Sequence, residues 1–520
     1  MPTITDIRRI SLRLSPFSVT LHNLKIAMKR SLISIALVLF ACFAHAQLYT
    51  AGGPFAPVVQ DTAQNWPKDN LRPWSLQECI AYAQVHNIQV QLQELNVRMS
   101  ETNLLASKGQ MLPNLNAGAA HTYQYGQTID RFTNTFVNDR VLNQNFFVSS
   151  NVTVFGGLQN YNTVQQNKYS LEASKFGVDQ TRYDISMNVA SAYLNILFSE
   201  DQLEISKKQQ SLTQSQVDRM QKLVDAGAMA KGNLLDLQTQ LAQEQVNVVT
   251  AQNNVTMAYL TLTQLMNLDT TAGFSIVRPD LSITNESILS ETPQQIFATA
   301  ENNQPSIKQA DANVKSAEKG VDIAYGALSP TLSLQGSLGT GYSGAAQTAT
   351  ATPNGADTVG ITTGGDYVLV PGFDYNYSTV PFADQLDNNF NQSFGIQLTV
   401  PIFNRLQVRT NIQRAQIQHQ NAQLNADLAR QNLDKNIQQA YADAQAALQK
   451  YRAQVAALAA AEEAYKYTEE KFTVGTVNSV DYTNSKNRLS QAESNVLQAK
   501  YDYIFRLKVL DYYKGNPITF

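Results

Sequence analysis

The chain has 520 residues, with 39 Lys or Arg, 42 Asp or Glu and a net charge of −3 at pH 7. Without the predicted signal region 1–46, 33 basic and 41 acidic residues remain. That balance excludes a broad basic surface for nucleic acid. Cys79 is the one cysteine after residue 46, so an intramolecular disulfide is excluded as well.

The N-terminal region has the pattern of a secretory signal peptide. Two basic residues follow Met28, an apolar stretch covers 32–43, and a small-x-small motif predicts cleavage between Ala46 and Gln47. The stretch is shorter than the roughly 20 apolar residues that a permanent membrane helix needs. Residues 1–27 are interpreted as sequence upstream of a start at Met28.

An alternative interpretation of the same region is a lipoprotein signal. Residues 39–42 then form the lipoprotein box and Cys42 becomes a lipidated first residue, although Phe40 fits such a box poorly. After residue 43 the sequence has no run apolar enough for a transmembrane helix. A membrane location therefore requires strands.

The second half of the chain repeats the first. Twelve residues recur 248 positions later, so that Phe155 returns as Phe403. An earlier block recurs at a spacing of 217, with Pro113 returning as Pro330. The spacings differ by 31 residues, which predicts an insertion between two strands of the second copy. The twelve residues are Phe155, Leu158, Gln159, Ala192, Tyr193, Gly227, Leu241, Gln243, Asn247, Val248, Ala251 and Leu262.

The duplication predicts two structural units. The first unit covers 47–267 and the second covers 292–515. A linker, 268–291, joins them, with a short strand expected at 274–277, and a tail of 516–520 ends the chain.

In the first unit, helical stretches are predicted over about 76–110, with a break near Asn87. Residues 159–226 contain no proline and predict one helix, on the order of 100 Å long at 1.5 Å per residue. Apolar residues seven apart indicate coiled-coil packing of this helix. Gly227 ends it with an expected positive φ, and a second helix runs back over about 232–267.

The second unit predicts the same helices. A helical stretch over about 293–328 is interrupted at Pro305. The copy of the long helix ends at Gly475, and a return helix covers about 479–513. Each unit therefore ends in a helical hairpin with a glycine at its tip.

Four strands are predicted, at about 113–125 and 146–155 in the first unit and 330–342 and 390–402 in the second. Apolar and polar residues alternate along them, which matches the wall of a transmembrane β-barrel. Strands of a soluble sandwich remain the alternative. Four strands are too few to close a barrel, since about eight is the smallest closed size. Other copies of the chain must therefore cover the free edges.

Two loops join these strands, at 126–145 and 339–389. The second is rich in Gly, Thr, Ala and Asp, carries the insertion, and has neither a helical nor a strand period. We expect it to be an exposed loop without regular structure on the far side of the membrane.

Three motifs, in this order and spacing, resemble a known family. They are WSLQECI at 74–80, LPNL at 112–115 and FTVG at 472–475, the last followed by Asp481. The chain resembles the TolC-like outer-membrane efflux and secretion channels over essentially all of the sequence after the signal peptide. The resemblance implies a mainly α fold with a small β part, assembled as a homotrimer. Twelve strands then form one barrel in the outer membrane, and the helices form a tunnel across the periplasm.

The resemblance also implies candidate residues for a constriction at the tunnel entrance. Family members carry rings of carboxylates near the second tip, and Asp481 stands at the first of these positions, six residues after Gly475. The second position holds Asn484, and the first tip offers Asn233 and Asp236. The alternative for Asp481 is simpler, because an acid in the first turn of a helix is stabilised by the helix dipole.

In the family, the helical tips meet a periplasmic adaptor that is bound to an inner-membrane pump or ABC exporter. The corresponding contact candidates are Gly227, Gly475, Phe472 and Val477. The family's charged and tyrosine latch around the second tip is altered here, since Phe472 stands three residues before Gly475 and Val477 two residues after it. We therefore predict an entrance held closed by packing rather than by a salt bridge.

The sequence offers no enzyme site. His86, His121 and His419 stand on different predicted elements, and Gly364 and Gly365 lie in a loop rather than between a strand and a helix. We therefore predict a conduit without cofactor or metal, powered by a partner. The alternatives are a trimeric adhesive fibre with a small membrane anchor, and a passive porin.

Overall fold

The structure is a computed structural model, mainly helical with a smaller antiparallel sheet, which confirms the predicted fold class at that level. The residues described are 72–130, 132–138, 140–268, 273–279 and 291–518. The predicted cleavage site at Ala46 and Gln47, and Cys42, lie outside these ranges. Within them, none of the helices combines the length and apolar character that crossing a membrane requires.

Two long helical hairpins dominate the fold. Helices α3 and α8 have 67 residues each, and the helices that run back along them, α4 and α9, have 36 residues each. The helices are α1 Leu76–His86, α2 Ile88–Gly109, α3 Gln159–Asp225, α4 Lys231–Met266, α5 Pro293–Asn303, α6 Pro305–Gly326, α7 Phe382–Asn388, α8 Gln407–Thr473 and α9 Ser479–Lys514.

Local signals explain where the short helices begin. The Ser75 hydroxyl accepts from the Glu78 amide at 3.3 Å, and the Glu78 carboxylate accepts from the Ser75 amide at 2.9 Å, which forms a capping box. Asn87 caps α2 by accepting from the Gln89 amide at 2.8 Å. Pro305 takes the first position of α6, where no N–H is needed. The predicted breaks at Asn87 and Pro305 are therefore both present.

The largest apolar core surrounds the middle of α3, where α1, α4 and α9 pack on it. The expected strand at 274–277 forms a single parallel bridge between Trp74 and Ile276. The Tyr193 hydroxyl donates to the Trp74 carbonyl at 3.2 Å and ties this bridge to α3. Buried α3 residues of the predicted seven-residue series are Val178, Ile185, Val189, Ala192, Ile196 and Leu203.

The main sheet is antiparallel, with the strand order β1-β4-β5-β8. Leu334 pairs with Val152 and Ile396 on one face. On the opposite face, the hydroxyls of Ser337 and Ser393 share a 2.8 Å hydrogen bond. The strands are β1 Asn116–Gln124, β2 Gln127–Ile129, β3 Phe136–Asn138, β4 Val141–Gly156, β5 Thr331–Ser343, β6 Gln347–Ile361, β7 Tyr367–Thr379 and β8 Asn391–Thr399.

The prediction of an irregular loop over 339–389 is wrong. Most of this segment forms the β6–β7 hairpin and the short helix α7. In β7 the aromatic residues Phe373 and Tyr375 alternate with the polar residues Asp374 and Asn376, which is a strand period. The Gly, Ala and Thr content of β6 hides this period in the sequence. Cross-strand pairing with β7 stabilises β6 despite its weak intrinsic strand propensity.

Candidate entrance site at the helix tips

Both helical hairpins turn on a glycine with the same backbone geometry. At the first tip the Gly227 amide donates to the Val224 carbonyl, and the Ala228 amide donates to the Leu223 carbonyl, both at 2.9 Å. The second tip repeats these two bonds from Gly475 and the residue after it, at 3.1 and 3.0 Å. The glycine φ angles are +73° and +78°. This is the Schellman arrangement, which needs a left-handed residue.

The return helices are capped differently. At the second tip the Asn478 side chain accepts from the Asp481 amide at 2.8 Å. Asp481 stands in the first turn of α9, where its charge complements the helix dipole. The residue before α4 is Ala230, which provides no side-chain cap. The start of α9 at the second tip is therefore fixed by a side-chain hydrogen bond, whereas the start of α4 at the first tip depends on packing.

The two tips touch each other. The buried Ser479 hydroxyl, at the start of α9, donates to the Asn233 side-chain oxygen of α4 at 3.4 Å. Three other predicted constriction residues, Asp236, Asp481 and Asn484, are exposed in the single chain. Asn233 thus serves the contact between hairpins, while the acids remain free to face water.

An aromatic cluster fixes α8 to α9 just behind the second tip. The rings of Phe472 and Tyr482 stack with centroids 4.6 Å apart and an interplanar angle of 19°. The hydroxyls of Tyr465 and Tyr482 lie 2.9 Å apart, and burial raises the pKa of both phenols, so they stay protonated. The cluster continues into the first hairpin through Val217, Met220, Leu234 and Leu237.

One of the predicted tip-contact residues, Phe472, is buried, whereas the others lie at the surface. Gly227 and Gly475 are exposed and Val477 is partly exposed, so all three lie at the surface. Phe472 is buried within the aromatic cluster. Its ring is therefore a packing element that joins the two hairpins and not a surface contact.

A buried ionic network joins the two hairpins further from the tips. The Lys486 ammonium of α9 donates to the Glu244 carboxylate of α4 at 3.2 Å and to the Gln209 carbonyl of α3 at 3.2 Å. It also contacts the Thr213 hydroxyl, which donates to Glu244. Gln240 donates to the same carboxylate at 3.1 Å. The side chains of Lys486 and Glu244 are only 5% and 7% exposed.

This network is absent from the sequence-based predictions, although the sequence contains a signal for it. Glu244 continues the apolar series Leu234, Leu237 and Leu241, so a charge occupies a core position. Burial lowers the pKa of Lys486, and the nearby Glu244 carboxylate opposes that change. A charge on the buried face of a helix requires a partner of opposite charge, but the sequence does not indicate which residue is that partner.

The histidines are not brought together. His86 lies 3.0 Å from the Tyr82 carbonyl on α1, whereas His121 lies 2.8 Å from the Gln144 amide on the sheet. Among the described residues, no group of three His, Cys, Asp or Glu side chains could hold a metal ion. Gly364 and Gly365 lie in the turn between β6 and β7.

Long helical hairpins joined to a four-stranded antiparallel sheet define the class of TolC-like channel folds. The chain belongs to the outer membrane efflux protein family, whose sequence profile matches residues 80–268 and 297–515. Family membership assigns it to the outer membrane and confirms both the predicted resemblance and the predicted location.

Three known proteins illustrate this similarity. The outer membrane protein TolC of Vibrio cholerae is 22% identical over 306 residues, which cover 59% of this chain and 62% of that relative. A membrane protein from Pseudomonas aeruginosa has a TM-score of 0.68 at 16% identity, covering 85% of this chain and 90% of its own. The outer membrane protein VceC from Vibrio cholerae has a TM-score of 0.68 at 14% identity, covering 85% and 96%. The match to TolC therefore spans less than two thirds of that protein.

Proposed function

We propose that the chain forms a homotrimeric duct from the periplasm to the exterior, as the passive outer-membrane part of a tripartite efflux pump or type I secretion system. The observation that carries this proposal is the main sheet, in which, over the described residues, the outer strands β1 and β8 each pair with one neighbour. Four strands cannot close on themselves, whereas three copies supply twelve, enough for a barrel.

The faces of the sheet support a barrel wall in lipid. Along the edge strand β8, Phe394, Ile396 and Leu398 are 83%, 73% and 63% exposed. The serine pair Ser337 and Ser393 lies on the other face. Apolar side chains toward lipid and hydroxyls toward a water-filled lumen are the arrangement that a transmembrane barrel requires. We infer that outer membrane lipid covers the apolar face.

The helical hairpins support a tunnel below the barrel. Two pairs of helices with equal lengths agree with an internal duplication, and 67 residues give a length on the order of 100 Å. The surface residues Gly227, Gly475 and Val477 then mark the end that meets a periplasmic adaptor. An inner-membrane pump or ABC exporter, reached through this adaptor, supplies the energy.

Asp481 is our candidate for the narrowest part of the entrance. Its side chain is exposed, and three copies around one axis place like charges that attract cations. The cap from Asn478 supports the simpler role as well, because it places the acid in the first helical turn. The aromatic cluster around Phe472 supports closure by packing.

Matched substitutions on opposite faces of β8 test the duct against the alternative, an adhesive trimeric fibre. Ile396→Lys puts a charge on the proposed lipid face at a cost of about 2–4 kcal/mol, whereas Gln397→Lys faces the lumen. We expect Ile396→Lys to abolish the trimer in native mass measurements of outer-membrane extracts, and Gln397→Lys to retain a conducting trimer. A wild-type trimer that does not conduct would favour the fibre.

A further inference from the structure

The β6–β7 hairpin stands on a buried polar base. Gln385 of α7 is 2% exposed, and its amide donates to the carbonyls of Ser343 and Val380 at 3.0 and 2.9 Å. Its oxygen accepts from the Ser343 amide at 2.8 Å. The Ser343 hydroxyl in turn donates to the buried Asp130 carboxylate at 2.6 Å. These bonds fix the root of the hairpin to the C-terminal end of β5, whereas the N-terminal end of β5 follows α6.

Beyond this base, one face of the hairpin is aromatic and uncovered. Tyr375 and Tyr377 are 59% and 63% exposed, and the residues opposite them are the small Ala351 and Ala349. The residues of this aromatic face on β7 are Tyr367, Leu369, Phe373, Tyr375 and Tyr377.

Such a hairpin is not expected to be stable in isolation. Two strands alone are marginally stable in water, and a hydrophobic face normally packs on another element. Because a buried aromatic ring covers roughly 150–250 Å², the uncovered apolar area here is on the order of 500 Å². A patch of that size indicates an interface.

The charges of the hairpin indicate which molecule covers its aromatic face. Residues 347–379 contain three Asp and neither Lys nor Arg. Asp357 and Asp374 pair with Val370 and Thr352, which places both acids on the face opposite the aromatic face. Three copies around a threefold axis can therefore bring their uncharged aromatic faces together at that axis without repulsion, whereas their acidic faces would repel each other.

The position of the hairpin in the chain also indicates that other copies of the same chain cover this face. The hairpin lies between β5 and β8, and β8 is an edge strand that needs a neighbour from another copy. We propose that the β6–β7 hairpins of the three copies turn their aromatic faces toward the threefold axis and pack on one another there, as a collar at the outer mouth of the trimer. This inference depends on the proposed trimer, and it gives a role to the 31-residue insertion of the second unit.

Photo-crosslinking of the full-length protein, purified from outer membranes in detergent, tests the collar. The photoreactive residue p-benzoylphenylalanine replaces Tyr375 on the aromatic face or, as the matched control, Asn376 on the opposite face. We expect ultraviolet light to give covalent species of two and three chains from position 375, at least fivefold more than from position 376.

Native mass measured before irradiation separates the two proposals. A trimer whose position 375 gives no chain-to-chain product, the same yield as position 376, or adducts to another molecule overturns the collar and leaves the duct standing. A preparation that is not trimeric overturns the duct, and the collar with it.

A second pair of variants makes the test independent of crosslinking efficiency. We expect the combined Tyr375→Ser and Tyr377→Ser substitutions to lower the temperature at which the trimer dissociates, with Asn376→Ser as the control that leaves it unchanged. Equal dissociation temperatures for wild type and the double variant would overturn the collar.

Discussion

The two helical tips have the same backbone and different side chains. Each turns on a glycine with the same pair of hydrogen bonds, at Gly227 and at Gly475. The first tip lacks a side-chain cap, whereas the second has the Asn478 cap and the aromatic stack on Phe472. The backbone therefore sets the turn, and the side chains of the second tip set how firmly α9 is capped and packed on α8 there.

The largest effect is expected from the buried ion pair that joins the hairpins. Lys486→Met leaves the Glu244 carboxylate buried without its partner, which should cost about 3–5 kcal/mol of unfolding free energy. Denaturant titration in detergent measures this cost, and Lys466→Met, at an exposed position of α8, is the control.

A double variant distinguishes lost pairing from lost packing. Combining Lys486→Met with Glu244→Leu removes both charges, so much of the lost stability should return. If the double variant is less stable than either single variant, the pair contributes through its packing, and the ionic explanation is wrong.

The tip glycines should be equally sensitive to substitution. A side chain at either position meets no atom within 4 Å, so the cost is purely that of a positive φ, about 1–2 kcal/mol. Hydrogen exchange at the tips of Gly227→Ala and Gly475→Ala should show equal increases in local opening. An unequal response would mean that the two turns do not have the same backbone requirement.

Substitutions at the two helix caps should change helix stability in opposite directions. Asn478→Ala should destabilise the start of α9 by about 1 kcal/mol, while Ala230→Asn should stabilise the start of α4 by a similar amount. Hydrogen exchange of the first-turn amides reports both. Loss of protection in Ala230→Asn would contradict the view that the first tip is merely uncapped.

The smallest expected effect is the pH dependence of stability that arises from Lys486. Burial, opposed by Glu244, lowers the pKa of Lys486 below its ordinary 10.5. Between the two values the unfolded chain binds more protons than the folded chain, so stability rises with pH there. Below the lowered pKa both states are protonated, and pH has no effect through this group. The stability of wild type relative to Lys486→Met should therefore increase as pH approaches 10.5, as measured by parallel titrations.

The sequence predicted elements that depend on local signals. Pro305 and the glycine tips mark helix ends because few other residues fit those backbone positions. The β6–β7 hairpin was missed because its stability depends on cross-strand pairing. The pairing of Lys486 with Glu244 was missed because the two residues stand 242 positions apart on different hairpins. Their contact follows from helix packing and not from any local pattern.

The most direct test of the duct is single-channel conductance of the purified trimer in a planar bilayer, comparing wild type, Asp481→Ala and Asp236→Ala. We expect small cation-selective currents that divalent cations block, with the block relieved by Asp481→Ala and unchanged by the matched substitution at the first tip. Currents indifferent to Asp481 would remove the proposed constriction from the second tip. A folded trimer that carries no current in any of the three forms would contradict the duct itself.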